Sequence, residues 1–418
     1  RDIPLAEGQR SLWFVHQQAP LSSAYNLGTS VRIRGQLRPE ELEQAYQRVV
    51  NRHAALRASF PTVAGRPVQR IARDLEARLE CHRLDGSSEQ ALLLQVKQMC
   101  ERPFDLKTGP VSRLALFRMA EDDHVILLAA HHIICDATAG AIALHDLKQF
   151  YLEAVHGVKP VFSQVTGDFP EFVEWQRETL LGPRGKALRA HWKERLKPPL
   201  PVMNLPTDWP RPTTRRFNGD TVIKNLDARQ VSALDSVVSS AQTTRPTVLM
   251  ATLAALLGRI SEADEVMLGT PFLGRIEGRF SETVGYLADP LPIRLNVAPD
   301  RSLKDLLSET RERLLDALDH QEMPLLRLIE ELNPLRDSTR MPFFDVLFTF
   351  LSHNHLNPSA RRAGRPEERS FWDDEPYPFT QMEGQFDLSL RIEESESDVC
   401  MGWSFDTDLF DRSTIEVL

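Results

Sequence analysis

The stretch "LLAAHHIICDATAG" (residues 127–140) decides how the chain is read. An apolar run ends in two adjacent histidines, His131 and His132, and Asp136 follows four residues after the second. Small residues then lead into "TAGAIALHDLKQFYLEAV" (138–155), whose apolar positions recur at helical spacing. The pattern predicts a strand that turns into an amphipathic helix. Neighbouring side chains on a strand point to opposite faces, so His131 and His132 cannot easily do the same job. One points inward; the other emerges where the strand ends, a common place to present a reactive group. Asp136 or Thr138 can cap the helix. Several readings stay open at this point. The histidines and the cap are purely structural, or one histidine acts as a base, or Cys135 is a nucleophile with a thiol acidified by its neighbour. A metal fits poorly, because adjacent extended histidines diverge and no further ligand cluster is close in sequence. "HNH" (353–355) would place two histidines on one strand face beside a polar loop, and reads as solvated.

Outward from this stretch, "VSRLALFRMA" (111–120) and "HVILLAA" (124–130) flank "EDD" and read as a hairpin. "GTSVRIRG" (28–35) alternates like a strand, and "SLWFVHQ" (11–17) is a short helix or turn segment. "RPEELEQAYQRVVNRHAAL" (38–56) places Leu42, Ala45, Tyr46, Val49 and Val50 on one helical face, with acidic residues near its start. Residues 157–216 are proline-rich, and periodicity survives there only in "FPEFVEWQRETLL" (169–181), so 166–216 reads as a linker region. Beyond it, helices are expected at 227–242, 246–260 and 302–319. Strands are expected at 265–270, 290–297, 343–351, 386–393 and 399–405. The charged, proline-rich piece 357–384 is expected to be a long loop.

With 418 residues the chain exceeds one typical core, so two domains or lobes are expected. A net charge of −9 argues against nucleic acid as a main partner, because phosphate binding needs a basic surface. Cys81, Cys100, Cys135 and Cys400 are scattered and lack CxxC spacing, which suits reduced thiols in a cytoplasmic protein and no zinc site. "VILLAA" (125–130) and "TVLMATLAALL" (247–257) are too short to span a bilayer, and no secretory signal is visible. The chain opens on Arg1 and stops at "FDRSTIEVL", where a helix begins, so it reads as a segment of a longer polypeptide.

Nine segments in order then give a resemblance. "LAEGQRSLWFVHQ", "NRHAALRASF", "AAHHIICDATA", "GDFPEFVEWQ", "VGYLADPLPIRLN", "HQEMPLLRLIEEL", "RDSTRMPFFDVLFTF", "FDLSLRIEE" and "FDTDLFDRSTIE" follow the motifs of one family almost end to end. The chain resembles the condensation domains of nonribosomal peptide synthetases. The resemblance implies an α/β fold of two chloramphenicol acetyltransferase-like lobes in a V-shaped pseudo-dimer, with a tunnel between them. It divides the chain into an N-terminal lobe over 1–165 carrying HHxxxD, the proline-rich region 166–216, and a C-terminal lobe over 217–418. Crossing loops are expected near 269–292 and 366–386. The implied reaction joins an acyl or peptidyl thioester to the amine, or a hydroxyl, of an acceptor. Both are held on carrier protein domains by 4'-phosphopantetheine, and those carriers belong to neighbouring synthetase or polyketide synthase modules. No bound cofactor or metal, no nucleic acid and no membrane is expected.

Carried over onto these positions, His132 is the catalytic histidine, as base or as a group that orients the nucleophile. His131 is structural, and Asp136 pairs with an arginine rather than touching substrate. Arg294 is the expected partner, and Arg57 a second cation facing the region, unless it is simply a surface arginine at a helix end. Two departures stand out. Ala137 replaces the family's glycine, whose N–H is a candidate oxyanion donor; alanine keeps the N–H but disfavours positive φ. Asp289 replaces a common asparagine and brings a carboxylate towards the tunnel. His131 itself argues against ring-forming relatives, which carry aspartate there, and no EGHGRE-like epimerisation motif is present. Two other readings compete: a degenerate domain that docks carriers without chemistry, and a stand-alone acyltransferase that uses free substrates.

Overall fold

The computed structural model describes residues 2–162, 167–334, 337, 339–352, 372–379, 385–394 and 398–418. These fall into two mixed α/β units. One takes residues 1–177, 275–287 and 354–381; the other takes 178–274, 288–353 and 382–418.

The first unit is built on a five-stranded sheet. Its order is Asp373–Pro376, Asn26–Arg34, Asp123–His131, Ser112–Ala120, Leu79–Arg83. The expected hairpin forms, pairing Ser112 with Ala130 and Leu116 with Ile126. Its second strand is central and buried along all but its first residue. That explains the unbroken apolar run before the histidines, since a strand covered on both faces has no reason to alternate. Asn26–Arg34 pairs on its other side, with Asn26 opposite His131. The helix Pro39–Arg52 buries Leu42, Ala45, Tyr46, Val49 and Val50, the five residues its periodicity selects. It packs on the helix Ala137–His156, which ends at Gly157 in the left-handed conformation (φ 66°). A helix not expected from sequence, Glu89–Glu101, lays Leu92, Val96, Met99 and Cys100 into the same core.

The second unit carries a six-stranded sheet in the order Gly219–Asn225, Val399–Asp406, Leu388–Glu394, Val346–Ser352, Glu265–Phe272, Asp289–Asn296. Helices form at Ala228–Ser240, Arg245–Ile260 and Leu303–Asp319, at the expected places, and at Leu325–Leu332. Among its described residues, the region 166–216 holds two helices rather than one. After Phe169–Leu181 comes Pro183–Arg195, with proline at its start, where a missing N–H costs nothing. Only Gly185, Leu188 and Trp192 are buried along it. So narrow a stripe, among charged residues, gives little periodicity to read.

Within the expected crossing region 269–292, residues 275–287 belong to the first unit, while Glu265–Phe272 and Asp289–Asn296 pair antiparallel in the second unit's sheet. Of 366–386, the strand Asp373–Pro376 pairs with Asn26–Arg34; residues 366–371 and 380–384 lie outside the described residues, as do "HNH" (353–355) and most of 357–384. Among the described residues no helix is long and apolar enough to cross a membrane.

Candidate functional site

The strand Asp123–His131 delivers the two histidines to a short 3-10 turn, His132–Ile134. Backbone bonds anchor the delivery: His131 N–H donates to the Val111 carbonyl (3.1 Å) and His132 N–H to the Tyr25 carbonyl (2.7 Å). The two side chains then part, as strand geometry requires.

His131 is buried, and its Nδ1 accepts from the Ile133 N–H at 3.1 Å. An accepting Nδ1 leaves the proton of the neutral ring on Nε2. Burial, with His16 and His132 adding to it, pushes its pKa down to about 3. His131 is therefore a neutral strut that shapes the turn. His132 is half-buried, and its Nδ1 lies 2.7 Å from the Cys135 carbonyl. A carbonyl can only accept, so this nitrogen carries the proton and the neutral ring presents its lone pair at Nε2. The tautomer is thus set by one backbone oxygen three residues on. The Tyr286 ring stands 4.7 Å from the His132 ring, centre to centre, at 63°.

Asp136 caps the helix that follows: its Oδ1 accepts from Ala139 N–H at 2.8 Å. Its partner is not Arg294. Arg275 makes a bidentate pair with it, at 2.9 and 3.0 Å, and also donates to the Thr283 carbonyl at 3.0 Å. Leu287 N–H adds a further bond to Asp136 Oδ2 at 3.1 Å. Burial works to raise the Asp136 pKa, but the charge and hydrogen bonds of Arg275, with the Ala139 and Leu287 N–H groups, prevail and lower it. Arg294 instead pairs with Glu265, on the adjoining strand Glu265–Phe272, at 2.6 Å. Its place in that strand pair commits it to the sheet of the second unit.

Arg57 does not face this region either. Its guanidinium donates to the Val50, Ala72 and Arg73 carbonyls, tying off the end of the helix Pro39–Arg52. Asp289 accepts from Leu325 N–H at 3.1 Å, at the start of the helix Leu325–Leu332. Ala137 opens the helix after Asp136, is exposed, and is not among the residues with positive φ, so alanine sits there without strain. Cys135 is buried against the Asp136 carbonyl (3.3 Å), and burial and Asp136 raise its thiol pKa. A thiol held protonated is no nucleophile.

Sequence reasoning passed over Gln9. It is fully buried: its Oε1 accepts from Ala6 N–H (3.0 Å), and its Nε2 donates to the Ile133 carbonyl (2.9 Å) and to Gln69 Oε1 (2.6 Å). It therefore ties the helix Glu7–Gln18 to the turn that carries His132. The sequence offered only its helical spacing with Leu12 and Trp13, which does not show what a glutamine there would bind.

Among the described residues, one group of metal-ligating types gathers elsewhere: His191, Asp316 and His320. It fits an ion poorly. The two imidazoles are parallel (1°) with centres 3.5 Å apart, so their lone pairs do not converge. Arg195 Nε already holds Asp316 at 2.7 Å, and His320 Nδ1 lies 2.7 Å from the Asp316 carbonyl.

The Condensation domain family model matches residues 1–418. Tyrocidine synthase 3 of Brevibacillus parabrevis is 29% identical over 413 residues, covering 99% of this chain and 6% of that protein. Surfactin synthase subunit 1 of Bacillus subtilis (strain 168) is 28% identical over 413 residues, covering 99% of this chain and 11% of that protein. The chain thus spans a small part of the curated relatives it matches. The crystal structure of the X-domain from teicoplanin biosynthesis superposes with a TM-score of 0.87 at 23% identity, covering 99% of this chain and 92% of that one. The condensation domain from Monacolin K polyketide synthase MokA gives 0.85 at 18% identity, covering 100% and 95%. At such identities these two speak for the fold.

Proposed function

Because the chain belongs to the condensation-domain family, we propose that it is an acyltransferase that couples two substrates held on carrier proteins. The donor is an acyl or peptidyl thioester on one phosphopantetheine arm. The acceptor is an amine, or a hydroxyl, on another. Attack on the thioester carbonyl forms the new C–N or C–O bond and breaks the C–S bond. The nucleophile's proton leaves, and the departing thiolate ends as a thiol.

One observation carries the reading: His132 Nδ1 lies 2.7 Å from the Cys135 carbonyl, to which it can only donate, so the lone pair of the neutral ring is on Nε2 of a half-buried side chain. A neutral imidazole can accept the nucleophile's proton, worth typically about 10²–10⁴-fold, or orient it. Asp136 and Arg275 act at one remove, holding the loop and the helix start. The first N–H groups of a helix have no partner within it, and Ala137 and Thr138 supply two here, at the positive end of the dipole and a few residues after His132 in the chain. They are the proposed donors to the oxyanion. The carriers would belong to neighbouring synthetase or polyketide synthase modules. Four free cysteines, two of them buried, support a cytoplasmic setting.

The test loads an upstream carrier with its acyl chain, adds an aminoacyl carrier, and follows the joined product by intact mass spectrometry. Wild type should give product and His132→Ala none. A folded wild type that binds both carriers and makes nothing would instead assign a docking role. Product from free acyl-CoA would assign a stand-alone acyltransferase.

A further inference from the structure

We propose that Tyr286 is a positioning residue for the His132 imidazole, and that Gly8 is what lets it approach; the inference rests on the role given to His132 above. A hydrogen bond at Nδ1 fixes one atom of the ring but not its tilt. A second contact on the ring fixes the tilt. The Tyr286 ring, 4.7 Å away at 63°, lies within the range of edge-to-face aromatic pairs.

The backbone that carries Tyr286 is pinned on both sides. Gly285 lies so close to Phe169 that a Cβ there would come within 2.0 Å of its ring. Leu287 N–H donates to Asp136 Oδ2 at 3.1 Å. Thr283 Oγ1 donates to the Gly167 carbonyl at 2.7 Å, and the Thr283 carbonyl accepts from Arg275 at 3.0 Å. Asp136 therefore serves two neighbours at once. It caps the helix after the His132 turn and holds the residue after Tyr286. The tyrosine is delivered to the histidine by the same carboxylate that shapes the histidine's loop.

Gly8 completes the arrangement. It lies in the first turn of the helix Glu7–Gln18, where alanine would make a better helix. A Cβ at position 8 would stand 2.8 Å from Tyr286 Cε1 and 3.2 Å from Cδ1, so the ring would have to move. The next residue, Gln9, donates to the Ile133 carbonyl in the His132 turn. The opening helix thus bears on the imidazole from two directions, through Gln9 on the turn and through Gly8 and Tyr286 on the ring.

The test combines a double-mutant cycle with the ring signal of His132. The histidine side chains of the chain are labelled with carbon-13 and read by NMR, and the His132 signal is assigned by its loss in His132→Ala. Gly8→Ala and Tyr286→Leu should each move that signal, and each should lower kcat for coupling by roughly two- to ten-fold, the worth of one aromatic pair, with the acceptor KM unchanged. Tyr286→Phe, which keeps the ring, should move the signal and lower kcat less than Tyr286→Leu does. In the Tyr286→Leu background, Gly8→Ala should do nothing further, because its only proposed route is the tyrosine ring. Additive effects, or a His132 signal that ignores both substitutions, would overturn the proposal. If His132→Ala still couples substrates, the functional reading fails while the ring signal still reports on Tyr286. If His132→Ala is inactive and the signal does not move in the other variants, only this inference fails.

Discussion

Arg275 holds Asp136 in a two-pronged clamp, Nη1 to Oδ2 at 2.9 Å and Nη2 to Oδ1 at 3.0 Å, with both side chains buried. Removing the arginine strands a buried carboxylate, which costs roughly 3–5 kcal/mol. Arg275→Leu should therefore unfold at markedly lower urea than wild type at pH 7. The sign with pH follows from the lowered Asp136 pKa. Its contribution is fully present above the unfolded carboxylate value of about 3.9 and is lost as pH falls through the lower folded value. The gap between wild type and Arg275→Leu should thus be widest at neutral pH and narrow below about pH 4. A gap that stays constant with pH would mean that the pair does not set the stability.

His131 and Asp136 titrate in the same sense for different reasons. Burial holds the His131 ring neutral down to about pH 3, whereas the unfolded ring charges near 6.5. The unfolded chain therefore binds more protons below 6.5, and stability should decline from there downward. Its ring signal should stay that of the Nε2–H tautomer from pH 8 to pH 5. His131→Leu leaves the Ile133 N–H without its acceptor, which costs roughly 1–3 kcal/mol. His131→Asn keeps an acceptor and should lose less, as thermal melts would show.

The two arginines separate what was legible in the sequence from what was not. Helix faces were local and readable: the five buried residues of Pro39–Arg52 are the five that periodicity selects. The histidine turn was also local, since His132, Cys135 and Asp136 are neighbours in the chain. The partner of Asp136 lies 139 residues away, and no spacing rule connects the two. Arg294 was expected because it stands in a motif of the resembled family, and Arg275 was not considered; only the course of residues 275–287 into the first unit distinguishes them. Tyr286 and Gln9 were missed for the same reason, because their roles exist only once distant segments meet. The helix Pro183–Arg195 was missed locally, because three buried positions among charges leave too weak a stripe.

This distinction is testable through Arg294. Its pair with Glu265 is partly exposed on both sides, at 23% and 39%. Such pairs contribute about 0–1 kcal/mol. Arg294→Ala should therefore leave both the melting temperature and the coupling rate close to wild type, while Arg275→Ala lowers both. Equal losses in the two variants would restore Arg294 to the site.

Ala137 offers the cleanest probe of the proposed oxyanion donors. It is the first residue of its helix, where proline is well tolerated because no N–H is needed and its φ suits the helix. The preceding residue, Asp136, has φ −113° and ψ 178°, the extended geometry that a following proline demands. The Asp136 cap on Ala139 N–H does not involve position 137. Ala137→Pro should then fold with near-normal stability and differ chiefly in lacking the N–H of residue 137. If that N–H binds the developing oxyanion, kcat should fall by about 10²–10³ with carrier binding unchanged. Ala137→Gly, which keeps the N–H, should stay near wild type and lose at most about 1 kcal/mol of stability. Comparable rates for the proline and glycine variants would remove Ala137 from the oxyanion site and leave Thr138 N–H as the donor to test.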